Sequence, residues 1–134
     1  RNLRKHPEKL KEMIPDFTAL YTDIVTDGYS RSHLDQVVET LRANADKGIT
    51  TLFHCTAGKD RTGIASMALL KSYGVGDKEI IRDYMRTNRN AFWATIKKCI
   101  GIALLTRNCS LVKTAYKAFM ADRKLIVTAI ENYG

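Results

Sequence analysis

Residues 52–63 read LFHCTAGKDRTG, and the rest of the chain is organised around this stretch. It predicts a short buried strand, a tight loop that carries Cys55, and the start of a helix. Arg61 follows the cysteine by six positions, so its guanidinium can bind two oxygens of a phosphoryl group that sits above the thiol. The backbone N–H groups between the two residues would curl around the same oxygens. The stretch therefore predicts a phosphate-binding catalytic loop.

The chemistry of this loop depends on the ionisation of its thiol. A helix N-terminus and nearby cations lower the pKa of a cysteine from about 8.5 to roughly 3.5–7.5, so Cys55 is expected to be largely thiolate. Thr62 is expected to donate its hydroxyl to the sulfur and make it a better leaving group. Gly58 allows a positive φ, and Gly63 lets the following helix pack closely.

The other loop residues have supporting roles. His54 is expected to orient the loop backbone and not to act as the base. Lys59 and Asp60 lie at the rim, where the lysine adds positive charge and the aspartate handles a proton. The predicted catalytic residues are Cys55, Arg61 and Asp60, and the predicted phosphate-binding residues are Thr56, Ala57, Gly58, Lys59, Asp60 and Arg61. The alternative is an inert, buried cysteine in a strand-to-helix turn.

The pattern HCxxGKDRTG at residues 54–63 resembles the signature of the cysteine-dependent protein tyrosine phosphatase superfamily. Within this superfamily, the chain resembles the bacterial atypical tyrosine and phosphoinositide phosphatases. The presence of both Lys59 and Asp60 distinguishes this group from ordinary protein tyrosine phosphatases. Further similarity extends over residues 74–75, 80–84 and 131–134, and to Asn88. The resemblance implies that residues 1–134 belong to a single α/β catalytic domain and form its helix-rich C-terminal part, without the upstream strands of the sheet.

The resulting interpretation is a phosphomonoester hydrolase. Cys55 attacks phosphorus and forms a phosphocysteine intermediate, while Arg61 and the loop N–H groups stabilise the equatorial oxygens, so no metal or cofactor is required. The substrates are phosphotyrosine proteins, phosphoinositides, or both. A non-catalytic phosphate-recognition module is the main alternative, and a rhodanese-like or arsenate-reducing enzyme is another.

Composition sets the outer bounds of these interpretations. The chain has 134 residues, is 45% hydrophobic and carries a net charge of +8, which fits a single domain. Its basic residues are scattered and not interleaved with aromatics, so an attractive field for anionic substrates is favoured over nucleic-acid binding. The chain has three cysteines, Cys55, Cys99 and Cys109, and their spacing indicates neither a zinc site nor a disulfide framework. Localisation stays open between cytoplasmic and secreted.

Hydrophobic spacing predicts a mostly helical chain. Helices are expected over residues 7–13, 17–25, 33–46, 64–73, 77–85, 91–105, 109–119 and 122–130, with Asp16, Ser32, Asp77 and Asp122 as start signals. The apolar, basic-flanked helices of residues 91–120 are open to two interpretations. The resemblance implies a lid or a membrane-facing flap, with peripheral membrane contact, and ordinary core packing explains the same pattern.

Residues 49–53 form the one strong strand pattern, and its continuous apolar character predicts burial on both faces. One strand makes no sheet, so partner strands are expected from an upstream segment or from a second copy that exchanges elements. The resemblance also places the general-acid aspartate upstream, which leaves Asp60, or less favourably Asp16, as the candidate within this chain. Asp16 lies in an Ile-Pro-Asp-Phe sequence, for which a helix cap is the favoured interpretation.

Overall fold

The computed structural model describes residues 31–55 and 57–134, and these residues form five helices and no strand. The helices are α1 (Arg31–Asp46), α2 (Asp60–Ser72), α3 (Asp77–Thr106), α4 (Cys109–Phe119) and α5 (Arg123–Tyr133). The helices predicted over residues 7–13 and 17–25, and Asp16 with them, lie outside the described residues.

The chain divides into two compact units, residues 1–65 and residues 66–134, with the division inside α2. In the described part of the first unit, the buried apolar side chains are Leu34, Val38, Leu41, Ile64 and Ala65. In the second unit they are Met67, Ala68, Ile80, Tyr84, Cys99, Ala121, Ile126, Ala129 and Ile130. Organisation as a single domain stays a prediction.

Helix α1 confirms the predicted amphipathic pattern, because Leu34, Val38 and Leu41 are its buried residues. It ends where the Lys-Gly pair at 47–48 predicted. Gly48 adopts a φ of 68°, its N–H bonds the carbonyl of Ala45 at 2.9 Å, and the next N–H bonds the carbonyl of Asn44 at 2.8 Å. These two bonds make a Schellman cap, which needs a residue that tolerates positive φ.

The strand predicted for residues 49–53 is wrong for the described part of the chain. No strand is formed there, and Ile49 and Leu52 are exposed and not buried on both faces. Sheet structure requires a neighbouring strand to satisfy the backbone, and no described segment pairs with these residues. The segment is instead tied to the end of α1, where the Asn44 side chain donates to Thr51 Oγ1 at 3.0 Å.

Helix α3 differs from the sequence prediction in length. Two helices were expected, over residues 77–85 and 91–105, but a single 30-residue helix runs from Asp77 to Thr106. The polar residues between the two apolar runs have no proline or capping turn, so nothing interrupts the backbone hydrogen bonds. Gly76, and not Asp77, is the N-cap residue, and Asp77 lies in the first turn.

Helices α4 and α5 begin at the side-chain caps that the sequence indicates. Asn108 Oδ1 accepts from the N–H groups of Ser110 and Leu111 at 3.0 and 3.1 Å. Asp122 Oδ1 accepts from the N–H of Lys124 at 2.9 Å. Such caps satisfy N–H groups that have no partner within the helix. Only two residues separate α3 from α4, so these helices form a helical hairpin.

Asn88 connects distant parts of the second unit. Its side chain donates to the carbonyl of Ala121 at 3.0 Å and accepts from the N–H of the same residue at 2.5 Å. The two residues are 33 positions apart, and Ala121 lies in the link between α4 and α5. One amide therefore satisfies both backbone groups of a partly buried turn and holds that turn against α3.

We expect Asn88→Ala to lower the free energy of unfolding by about 1–3 kcal/mol, because it leaves both backbone groups of Ala121 without their partner. The matched control is Asn90→Ala, which makes the same change at an exposed position of the same helix. Urea unfolding followed by circular dichroism measures the difference. Equal effects of the two substitutions would contradict a structural role for the Asn88 amide.

Candidate active site

The loop of residues 54–63 closes on the sulfur of Cys55. The backbone N–H groups of Ala57, Lys59 and Thr62 all hydrogen-bond to this sulfur, which is half-buried. Successive N–H groups that point to one place form an anion-binding concavity. A thiol surrounded by backbone donors is therefore present in the described residues. Thr56 lies outside them.

Gly58 allows the loop backbone to adopt this curled conformation. Its φ is 65°, in the left-handed region, and a Cβ atom placed on it would meet nothing within 4 Å. The requirement for glycine is thus conformational and not steric. At the entrance to the loop, His54 Nδ1 lies 2.9 Å from the carbonyl oxygen of Cys55. The contact joins the imidazole to the loop backbone, and the role of His54 in orienting that backbone stays a prediction.

The pKa of Cys55 reflects two opposing effects. Burial of the thiol acts to raise the pKa, but the hydroxyl and N–H of Thr62 and the N–H groups of Lys59 and Ala57 act to lower it. The donors prevail and bring the pKa from 9.0 to about 7. Hydrogen bonds to a charged form stabilise that form, so near neutral pH a large fraction of Cys55 is thiolate.

The hydroxyl of Thr62 is the strongest single contributor to the lowering of this pKa. Its Oγ1 atom is nevertheless buried and makes no hydrogen bond of standard geometry within the described part of the chain. It thus acts on the sulfur through proximity and not through a well-aligned bond. A buried donor in this state is suited to an oxyanion that enters the loop, because a hydroxyl rotates to meet its acceptor.

Lys59 and Asp60 form a contact that the sequence prediction missed. Lys59 Nζ lies 2.6 Å from Asp60 Oδ1, and the lysine side chain is only 11% exposed. The two were expected to act separately at the rim, one as a cation and the other as a proton carrier. Adjacent side chains on a helix point in different directions, but Lys59 precedes the first residue of α2, so this rule does not apply.

Helix α2 begins directly behind the loop. Asp60 is its first residue, Arg61 is its exposed second residue, and the N–H of Gly63 bonds the carbonyl of Lys59 at 2.8 Å. The unpaired N–H groups of a helix N-terminus give it a partial positive charge, which favours an anion in the adjoining loop. Residues 55–62 thus contain the thiol, the backbone donors, the helix N-terminus and the guanidinium group.

This arrangement suits an oxyanion such as a phosphoryl group. The donors converge on the sulfur, so an oxyanion above it would be held with phosphorus next to the nucleophile. Nowhere in the described ranges do three or more histidine, cysteine, aspartate or glutamate side chains group in a way that could hold a metal ion.

A loop of this kind is typical of one class of proteins. Comparison with known proteins identifies that class. The model of the tyrosine phosphatase family matches residues 1–133. The chain therefore belongs to the tyrosine phosphatase family and is homologous to bacterial PtpB-like tyrosine phosphatases. The predicted resemblance is confirmed.

Three relatives illustrate the relationship. A Cupriavidus necator protein, whose name places it provisionally among the tyrosine-protein phosphatases, is 54% identical over 48 residues, 35% of this chain and 18% of that protein. A tyrosine-protein phosphatase of Nostoc commune is 46% identical over 57 residues, 42% of this chain and 19% of that protein. The triple specificity protein phosphatase PtpB of Mycobacterium tuberculosis is 33% identical over 111 residues, 81% of this chain and 39% of PtpB.

In each relative the match thus spans well under half of the protein's length. No solved structure matches the chain significantly.

The pKa of Cys55 leads to a prediction about its reactivity. The rate of alkylation by iodoacetamide should rise with pH around a midpoint of about 7, because only the thiolate reacts. Thr62→Val removes a group that lowers the pKa and should move this midpoint to higher pH. Mass spectrometry of the labelled peptides separates Cys55 from the exposed Cys109, which serves as an internal reference. A midpoint near 9 in the unsubstituted protein would contradict the proposed donor loop.

Proposed function

We propose that the chain hydrolyses phosphomonoesters through a phosphocysteine intermediate. The observation that carries this proposal is the convergence of three backbone N–H groups and one hydroxyl on a half-buried thiol whose pKa is about 7. A merely structural cysteine has no need of such donors. Membership of the tyrosine phosphatase family supports the same reaction class.

In the first step, the thiolate of Cys55 attacks phosphorus in line with the ester oxygen. The S–P bond forms as the P–O bond to the leaving group breaks, and the leaving oxygen takes a proton from an acid. Asp60 and Asp16 are the candidates that the sequence predicts for this acid. Asp60 is engaged by Lys59 at 2.6 Å, so it would act as an acid only with that contact rearranged.

In the second step, water attacks phosphorus and the S–P bond breaks, which returns the thiolate and releases inorganic phosphate. The donors that lower the pKa of the thiol also make it a better leaving group here. Thr62 is central to this step, because its hydroxyl lowers the pKa of the thiol more than any other single donor. Backbone donors fixed in place beforehand require no reorganisation as charge shifts between sulfur and oxygen.

Arg61 is proposed to bind two equatorial oxygens of the phosphoryl group in both steps. Arg61 is exposed in the first turn of α2, directly after the loop in sequence, and this position supports the role. Guanidinium presents two parallel N–H donors that match two phosphoryl oxygens, whereas an ammonium offers only a point charge.

The proposed substrates are phosphotyrosine proteins, phosphoinositides, or both. The Mycobacterium tuberculosis relative is named for triple specificity, which supports a broad range of phosphate esters. An additional cation beside the loop favours substrates with more than one phosphate. The proposal assigns this cation to Lys59, although its contact with Asp60 offsets part of its charge.

The nucleophile is tested with Cys55→Ser. This variant should lose turnover of p-nitrophenyl phosphate and phosphotyrosine peptide while it still binds vanadate or phosphate, because the backbone donors and Arg61 remain. Arg61→Lys should reduce kcat/KM by roughly 100-fold or more, since the bidentate contact is lost. Phosphate release and isothermal titration measure the two effects. Substantial activity in Cys55→Ser would refute the mechanism, and oxyanion binding without turnover in the unsubstituted chain would indicate a recognition module.

Substrate preference is tested with Lys59→Ala. The substitution should reduce the hydrolysis of a short-chain phosphoinositide bisphosphate more than that of an aryl phosphate, because it removes a cation that a second phosphate can use. Lys47→Ala is the control, since Lys47 is exposed at the end of α1 and should leave both rates unchanged. Equal losses on both substrates would show that Lys59 acts on the loop itself and not on the additional phosphate.

A further inference from the structure

Six exposed side chains form a continuous row along one face of α3. Successive members are three or four residues apart in the sequence, which places them about one helical turn apart on the same side of the helix. The row extends roughly 27 Å along the helix axis. Its members, called the α3 row below, are Arg86, Arg89, Trp93, Lys97, Ile100 and Leu104.

Packing within the second unit leaves the α3 row uncovered. Trp93 is 72% exposed and Leu104 is 76% exposed. The buried residues of the helix lie roughly a third to a half of a turn around its axis from Trp93. These buried residues are Ile80, Tyr84, Thr95 and Cys99. A helix at a protein surface normally carries polar side chains opposite its buried face, so core packing does not explain the apolar members of the row.

The α3 row changes in character along its length. Its first two members are arginines, and its last two, Ile100 and Leu104, are aliphatic. Between them, Trp93 has Arg89 about one turn before it and Lys97 about one turn after it. Tryptophan and arginine are the residues that most often contribute the binding energy of protein interfaces. The row therefore has the composition of a binding surface and a direction along the helix.

Little negative charge offsets the cations of the row. Arg86 Nη1 lies 3.9 Å from Asp83 Oδ1, and both side chains are more than half exposed, so this ion pair is weak. From residue 84 to residue 121 the sequence contains no aspartate or glutamate. Arg89 and Lys97 both lie within this interval, so a partner with carboxylates can bind them without competition from their own segment of the helix.

We propose that the α3 row is a docking surface for a helix of another protein, with acidic side chains in one half of that helix and apolar side chains in the other. The acidic half would bind the two arginines, and the apolar half would pack on Trp93, Ile100 and Leu104. A partner helix of about 20 residues spans the row. Helices that dock on protein surfaces use anchors at this three- and four-residue spacing. The inference is independent of the phosphatase mechanism, because it uses no residue of the catalytic loop.

A second copy of the chain fits the row poorly in either orientation. In a parallel pair, each cation of the row would face the same cation of the other copy. In an antiparallel pair, Arg86 would face Leu104 and Arg89 would face Ile100. The first arrangement brings like charges together, and the second leaves guanidinium groups against aliphatic side chains without carboxylates.

A lipid bilayer also fits the row less well than an acidic helix does. An interfacial helix lies flat and buries a stripe that is apolar along its whole length. With the row facing a bilayer, Arg86 and Arg89 would lie on the centre line of that stripe and direct their guanidinium groups toward the acyl chains, which is costly. No helix in the described part of the chain has the length and apolar character needed to span a membrane.

The probes for the test are synthetic helical peptides of about 20 residues that contain no tryptophan. One ordered peptide has glutamate on one face of its N-terminal half and leucine on the same face of its C-terminal half. The second has the reverse order, so the two cover both helix orientations. A third peptide has the same composition, with glutamate and leucine alternating along that face.

Trp93 is the single tryptophan of the chain, so its fluorescence reports binding to the full chain directly. We expect one ordered peptide to shift the emission to shorter wavelength, because it removes the indole from water. The same peptide should bind at least about tenfold more tightly than the alternating peptide, whose charges do not match the row.

The apolar half of the row is tested with Leu104→Ser, which should weaken binding of the ordered peptide about tenfold. The matched control is Leu105→Ser. Leu105 is 87% exposed on the same helix but lies about 100° around the axis from Leu104, outside the row. The control should bind the peptide as the unsubstituted chain does.

The basic half is tested with Arg89→Glu, which should weaken binding of the ordered peptide about tenfold. A peptide with lysine in place of glutamate should regain binding to this variant, because the charges are then exchanged between the partners. Arg123→Glu is the control, since it makes the same charge change at an exposed position in the first turn of α5. Circular dichroism verifies that every variant is folded.

Three outcomes would overturn the proposal. The first is that neither ordered peptide binds more tightly than the alternating one. The second is that the two controls weaken binding as much as Leu104→Ser and Arg89→Glu do. The third is that the ordered peptides fail to bind while Leu104→Ser abolishes either binding to phosphatidylserine vesicles or a dimer detected by analytical ultracentrifugation. That result would assign the surface to lipid or to a second copy.

Discussion

The convergence of backbone N–H groups on the sulfur of Cys55 is the constraint on which the site depends. Three donors from a loop of this length point to one atom only if the chain turns sharply, and Gly58 at a φ of 65° provides that turn. In the proposed mechanism, the same donors stabilise a thiolate when the loop is empty and bind an oxyanion when a substrate is present. One backbone conformation would then set both the ionisation of the Cys55 thiol and the position of the bound phosphoryl group.

Local rules predicted much of the helical structure. Gly48 and Gly74 end α1 and α2 with positive φ, and Asn108 and Asp122 begin α4 and α5 with side-chain caps. These signals act over three or four residues, so the sequence alone is enough to locate them. The lowered pKa of Cys55 was predictable for the same reason, because its donors all come from the following seven residues.

Features that depend on distant residues were not predictable. A strand at residues 49–53 needs a partner, and apolar character alone supplied no information about whether one would be present. Asn88 and Ala121 meet across 33 positions, which no local pattern indicates. The contact between Lys59 and Asp60 was missed because it depends on where α2 begins to within one residue, and helix boundaries are the least certain part of a sequence prediction.

The absence of buried residues in α4 has a consequence for the stability of the second unit. Separating this helix from its neighbours would expose little additional apolar surface, so its local unfolding requires less free energy than unfolding of the whole unit. Asn88 holds the chain at Ala121, directly after α4, so such an opening can stop there and leave α5 in place. Amide hydrogen exchange would then be fast across residues 109–119 and slow in α5, and a protease would cut the chain first at α4.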